Sequence, residues 1–546
     1  MPGIPGIDHD KLPIGPTGQK TFYVNPCPPK ADEEPRINHM GFEVKSWGFP
    51  TKVRMLPAAA LCARAGTSAR ACSDPDIASK YYAELMDQEA MRDAIVDEVF
   101  YGSEELYRKN SHWALNDNVM ESFFETYLGY NNNKPRGERP YTFVVYGASG
   151  YTGELTLNYI CKKVDPSIRF AIAGRTKHKV EKVKEKVLTK YPWTGAEIDV
   201  MELNLKDPQA VRKMVQSCDV VINIAGPFML TGAEMLVEAC LLFDTDYVDV
   251  NGEIPFTHKL LEYHDFAAKN GVFVVPNAAY AGGATDVLAT YAVDKMAELK
   301  GKRCGKVTGF ITGSEDSAAP SGGTLATREA MSKAMKDYGH LMMDPFALGG
   351  RIGDGSRPED QDAMLQKITK ADCGMKGWIT PFMYSFFETR MVRRSNFLRK
   401  ALTGRSFGKD FNFHNHLLVP DERRARDWAA AAKSSKKQEE ELEKQGRKFK
   451  QGEGESAEQR EKVWSTNYYI AESTDGKDRI KARLRAGEAY EETGHMAVEV
   501  ALTIALHRAE LKERGVTGGV LTPSIAGGPR LVQRLHDTGM LFDVMG

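Results

Sequence analysis

The chain has 546 residues, 42% of them hydrophobic and 27% charged, with 73 Lys+Arg against 74 Asp+Glu and a formal net charge of −1. That composition fits a soluble globular protein of two to four domains at about 100–200 residues each; the balanced charge excludes a whole-molecule field drawing it to nucleic acid or anionic membrane. No apolar run approaches the roughly 18–20 residues needed to span a bilayer, and eight cysteines without a Cys-x-x-Cys pair argue for a reducing compartment rather than a disulfide scaffold.

The first residues, Met1 to Asp10, have neither the apolar core of a signal peptide nor the character of a transit peptide, so the cytoplasm is the expected location. Residues 1 to about 72 are rich in Pro, Gly and Ala and show no sustained period, which predicts an extended arm. From Ser73-Asp-Pro-Asp onward, Ile77, Tyr81, Leu85, Ile95, Val99 and Leu106 predict amphipathic helices, with another near 118–128. The stretch 130–140 reads as a linker, so residues 1–139 form an N-terminal extension, partly extended and partly helical.

Residues 140–300 alternate short apolar strands with helical stretches, the pattern of a parallel α/β sheet. The strands expected are Thr142–Tyr146, Arg169–Ala173, Ile198–Glu202, Val220–Ile224, Asp246–Val250 and Val272–Val275. Residues 301–546 shift to longer strands such as Lys306–Thr312 and predict a second, α+β domain for substrate or dimerisation. Within it, the intensely charged segment 421–461 reads as a solvated helix followed by a mobile loop around Gly452 and Gly454. Gly494–Leu511 is a helix by its pattern, and Gly515–Pro523 reads as a loop feeding a final helix and strand.

The chemistry starts at the first strand. Phe143-Val-Val-Tyr runs into Gly147-Ala-Ser149-Gly150-Tyr151-Thr152-Gly153, and a helical pattern follows. Strand, glycines and helix occur in the order a dinucleotide fold requires. Gly147 permits the tight turn, Gly150 lets the backbone approach a pyrophosphate, and Gly153 lets helix and strand pack closely. The second strand ends in Gly174-Arg175-Thr-Lys177, where NAD-selective folds carry an acid for the ribose 2′-hydroxyl. Two cations there favour a 2′-phosphate, hence NADP. In the alternative, Arg175 stacks on adenine and NAD is served as well. The fourth strand ends in Asn223-Ile-Ala-Gly226-Pro227, which places Asn223, Gly226 and Pro227 beside the cofactor's ribose and nicotinamide.

Other groups fit structure better than chemistry. Asp249 and Glu253, at the end of the fifth strand, suit loop orientation more than proton transfer. The Tyr159-x-x-x-Lys163 and Tyr291-x-x-x-Lys295 spacings reflect helix periodicity, and His414 with His416 lacks a third metal ligand, as do His258 and His264. Cys240 is expected to be a buried packing thiol. No catalytic acid or base is assignable.

Taken together these segments resemble the saccharopine dehydrogenase-like oxidoreductases over roughly residues 140–546. The resemblance rests on residues 147–153, 173–175, 223–228, 238–240 and 247–253, Tyr263-His-Asp-Phe-Ala-Ala, Ser321-Gly-Gly-Thr324, Thr380-Pro-Phe-Met, Val392-Arg-Arg, Gly519-Val-Leu-Thr-Pro523 and Leu531-Val-Gln-Arg-Leu. It implies a Rossmann domain, a second α+β domain closing over the cofactor, and nicotinamide-dependent hydride transfer to a carbonyl, imine or conjugated alkene on a small-molecule or lipid-like substrate. Near the sixth strand Ala279-Tyr280-Ala-Gly-Gly-Ala-Thr-Asp286 keeps that family's aromatic and final Asp but lacks its Cys, Ser and Pro. This departure, with the long N-terminal extension, supports a rival expectation: a catalytically degenerate Rossmann subunit recruited into a larger assembly through residues 1–139.

Overall fold

The computed structural model describes residues 134–545 apart from 315–318, 350–364, 409 and 433–434. The arm and helices expected before residue 134 lie outside the described residues.

Two seven-stranded sheets organise the described residues. The first contains β1 (Tyr141–Tyr146), β2 (Phe170–Gly174), β3 (Asp199–Glu202), β4 (Cys218–Asn223), β5 (Asp246–Asp249), β6 (Phe273–Val275) and a late strand at Gly519–Val520. Its order is late strand, β6, β5, β4, β1, β2, β3, and every pair is parallel. This is the doubly wound Rossmann order, with its switch point between β1 and β4. The strands read as near-continuous apolar runs because both faces are covered; Phe143, Val144, Val220, Val221, Ile222, Tyr247, Val248 and Val274 are fully buried.

The second sheet is mixed. It contains β7 (Cys304–Gly313), β8 (Thr369–Lys370), β9 (Trp378–Thr380), β10 (Asn412–Val419), β11 (Ser465–Ser473) and β12 (Arg479–Ala486), with the first sheet's late strand counted as β13, and ends with β14 (Leu541–Met545). Only β7 and β10 pair in parallel; the other neighbours are antiparallel.

Seven helices matter for the site: α1 (Tyr151–Lys163), α2 (Lys177–Lys190), α3 (Thr285–Lys300), α4 (Gly322–Met343), α5 (Ser385–Thr403), α6 (Ala489–Leu506) and α7 (Pro523–Thr538). α6 starts at Ala489, five residues before the apolar pattern begins, because Glu488 caps it: its Oε2 accepts from the N–H groups of Tyr490 and Glu491 at 2.9 and 3.1 Å. α6 breaks at His507, and Arg508–Glu513 forms a separate short helix. One apolar core runs from the first sheet through α3 and α6 into the second, joining Phe143, Leu288, Phe413, Tyr469 and Val498.

Polar ties fix the joints. The linker is bolted to the amino edge of the first sheet, where Arg139 donates to Cys218 O and Thr245 Oγ1 at 2.8 and 2.7 Å, and Gly137 N donates to Asp219. On α5 the guanidinium of Arg394 is fully buried and donates to the carbonyls of Leu348 and Val520; burial pulls its pKa down to about 9. The Arg393-Arg394 pair of the sequence is thus a brace between α5 and neighbouring loops.

Candidate functional site

The loop after β1 is shaped by contacts only glycine allows. Gly147 has φ of +95°, and a Cβ there would lie 2.9 Å from Ala225 N in the loop after β4. A Cβ on Gly153 would collide with Gly147 O, so α1 leaves the strand at close quarters. Gly147 N and Ala148 N both donate to Ala173 O at 3.0 and 3.1 Å, tying the loop to β2. Gly150 is the N-cap and has no side chain to satisfy the first N–H groups of α1. Those donors, at the positive end of a 13-residue helix, form a cradle able to hold an anionic group such as a phosphate.

Ser149, Tyr151 and Thr152 lie in this loop and first turn, all partly exposed. Arg175 and Lys177 follow β2 and are exposed; Lys177 makes a 3.9 Å ion pair with Glu181. Both cations are therefore available beside the β1–β2 edge. Asn223 is wholly buried: its Nδ2 donates to Tyr247 Oη at 3.0 Å and its Oδ1 accepts from Ala225 N at 3.0 Å. Its amide is committed to shaping the turn that presents Gly226 and Pro227, which are joined by a cis peptide bond. The cradle, the two cations and this turn share the carboxyl edge of the sheet.

The carboxylates at that edge are architectural. Glu253 accepts from Phe228 N and Met229 N, both at 2.9 Å, capping the short helix after Pro227. Asp249 Oδ1 accepts from the N–H groups of Asn251 and Asn277, both at 3.0 Å; burial raises its pKa to about 6 against those bonds. Asp286, in the loop that departs from the resembled family's pattern, accepts from Ser524 N at 2.8 Å and from Ser395, tying α3 to α7. Tyr280 in the same loop bonds Ser465 Oγ at 2.5 Å, on the second sheet. That loop joins the two sheets.

The remaining sequence candidates fall away from this edge. Tyr159 is buried against Glu499 Oε1 at 2.6 Å, and Lys295 pairs with Glu298 at 2.7 Å on the surface. His414 and His416 are buried on one face of β10, where burial pushes the His416 imidazole down to about 4. Cys240 is fully buried, and burial raises its thiol well above the ordinary range.

What sequence reasoning missed is the wall opposite the cradle. The ring of Tyr490, on α6, meets the ring of Tyr151 edge-on at 5.4 Å. The Tyr490 hydroxyl accepts from Ser321 N at 2.8 Å and lies 2.8 Å from Thr324 Oγ1, at the start of α4. One turn along α4, Thr327 Oγ1 is 3.5 Å from Glu253 Oε1, next to Gly226. The segment 446–460 also belongs here. Tyr151 Oη donates to Glu455 O at 3.1 Å, Arg460 stacks on the Tyr151 ring at 5.7 Å, and Gly322 N donates to Glu453 O at 3.1 Å. The loop around Gly452 and Gly454 is thus held against the cradle by its neighbours. The signals in the sequence were local: Ser321-Gly-Gly-Thr324, which entered only through the resemblance, and an acid, Glu488, just before an apolar helical run.

Residues 143–275 match the family model described as Saccharopine dehydrogenase NADP binding domain. The trans-acting enoyl reductase of Mycobacterium ulcerans is 27% identical over 429 residues, covering 74% of this chain and 97% of that protein. The human saccharopine dehydrogenase-like oxidoreductase is 30% identical over 167 residues, covering 29% of this chain and 39% of that protein. Among solved structures, a DAP dehydrogenase of C. glutamicum in complex with DAP aligns at 11% identity and a TM-score of 0.33, covering 73% of this chain and 99% of that one. No helix among the described residues is long and apolar enough to cross a membrane.

Proposed function

From the match of residues 143–275 to the saccharopine dehydrogenase NADP-binding family model, we propose that the chain is an NADP-dependent oxidoreductase acting on a carbonyl, imine or conjugated alkene. The observation that carries this reading is the uncapped start of α1 above Gly147–Gly153, set at the switch point of a parallel sheet. Residues 149–153 would hold the pyrophosphate, Arg175 and Lys177 the 2′-phosphate, and the Gly226-Pro227 turn the nicotinamide half. The bound cofactor supplies the hydride; the protein orients it and excludes water. Enoyl reductase relatives that align along most of their length favour the conjugated alkene among the three substrates, and favour catalysis over a recruited scaffold.

Titration of the purified full chain with NADPH, followed by cofactor fluorescence, tests binding. Loss of absorbance at the reduced nicotinamide band with α,β-unsaturated thioesters, ketones and imines then tests turnover. Absence of NADPH binding would overturn the proposal.

A further inference from the structure

We propose that Tyr490, held by Ser321 and Thr324, is the hydrogen-bond donor that grips the substrate's carbonyl oxygen during hydride transfer. This rests on the reductase reading above and adds a residue that faces the substrate.

The argument begins with position. Tyr490 lies against Tyr151 at the end of β1, and Thr324 stands one helical turn from Thr327, which adjoins Gly226 and Glu253 at the end of β4. The hydroxyl therefore sits on α4, between the Tyr151 ring and the turn of α4 that adjoins Gly226. A substrate lying over the Gly226-Pro227 turn would meet α4 and the start of α6.

Hydrogen-bond accounting gives the role. The phenol oxygen accepts from Ser321 N–H. Thr324 Oγ1 lies at 2.8 Å and can supply a second donor. With Thr324 as the donor of that pair both lone pairs are filled, and the phenol keeps its one proton to donate. Burial also raises the Tyr490 pKa above its ordinary value. The phenol thus stays protonated and keeps a hydrogen to offer.

The chemistry needs such a donor. Hydride, with its electron pair, adds to the β-carbon of a conjugated alkene; the π electrons shift and the carbonyl oxygen becomes an enolate oxygen. A donor placed before the charge develops stabilises that oxygen without reorganisation. A solvent proton then adds to the α-carbon, leaving the saturated carbonyl compound and oxidised cofactor, and Tyr490 retains its own proton.

The test compares full-length wild type with Tyr490→Phe, using NADPH and a crotonyl N-acetylcysteamine thioester. The expected result is a kcat about 10²-fold lower in Tyr490→Phe, the scale for losing one such donor, with NADPH affinity and melting temperature near wild type. Thr324→Val, which frees the phenol to turn, should lower kcat less. Tyr490→Phe turnover within about twofold of wild type overturns the proposal while leaving the reductase reading standing. If wild type binds NADPH but turns over none of the substrates, the reductase reading falls instead. Tyr490 is then judged by the infrared carbonyl stretch of 2-cyclohexenone bound to the NADP-loaded protein. A band at lower frequency in wild type than in Tyr490→Phe supports the donor; equal bands overturn it.

Discussion

Arg175 and Glu388 carry separable residue-scale predictions. Arg175 is exposed and engages no carboxylate among the described residues, so a 2′-phosphate gains it as a charge-assisted partner without first breaking a bond there. Arg175→Ala should weaken NADPH by about tenfold, the effect of 1.4 kcal/mol, and leave NADH within about twofold. Competition titrations of both cofactors at low and high salt check this; equal losses for both would assign Arg175 to adenine. Glu388, on α5, faces Gly282 N at 3.3 Å, Asn415 on β10 and Thr285 on α3. Its burial lifts the carboxyl to about 7 from the ordinary 4.5. Between those values the folded protein holds more protons than the unfolded chain, so stability falls as pH rises through the window and levels above it. Glu388→Gln should remove this part of the slope, on the order of 2 kcal/mol between pH 4.5 and 7. Asn415 Oδ1, buried without a hydrogen-bond partner, gives the new amide an acceptor if Asn415 turns. Denaturant melts at successive pH values should show a flatter profile for the variant, and an unchanged slope would count against this assignment.

Among the elements, the segment 446–460 constrains the cradle most directly. A Cβ on Gly454 would lie 2.5 Å from the Tyr151 ring, and Tyr151 is the first residue of α1. Gly454→Val should push Tyr151, and the N–H groups beside it, out of register with the pyrophosphate. NADPH affinity should drop at least tenfold, while melting shifts by only a few degrees because the segment covers an edge of the core. If affinity holds, the segment is a cover with no bearing on the cofactor. This element also shows what sequence could and could not carry. The glycine loop, Arg175 and the six strands from Tyr141 to Val275 were legible because strand period and turn chemistry are local properties. β13 was not, since two residues, Gly519 and Val520, have no period; they pair because β6 offers an open edge. The docking of Glu455 on Tyr151, 304 residues apart in sequence, was likewise illegible, as was the meeting of Tyr490 with Thr324. Charge patterning marked 421–461 as solvated, which holds for its exposed helices, but it says nothing of where the following loop returns. The wall opposite the glycine loop is built from such long-range contacts.

For the whole molecule, the question is whether the two sheets fold as one body. The cofactor helix α1 is bonded to α6 through Tyr159 and Glu499, and Glu499 pairs with Arg534 on α7 at 2.7 Å. Tyr159 stacks on His495 at 4.4 Å, and His495 bonds Thr538 at 2.6 Å. Packed on α6 and α3, α7 leads directly into β14 of the second sheet, while the strand just before it, β13, completes the first. Neither sheet can unfold without stripping α6 and α7 from the other, so the described residues should melt in one cooperative step. A ligand at the β1 edge should then raise the whole transition, by about 2.7 kcal/mol at a hundredfold excess over its Kd. Glu499→Ala leaves Arg534 without its partner and Tyr159 without its acceptor, removing about 2–4 kcal/mol and lowering the same single transition. Calorimetry with and without NADPH tests this. Two endotherms, with only the first moved by the cofactor, would mean that the sheets are independent and that α6 and α7 are a contact rather than a shared core.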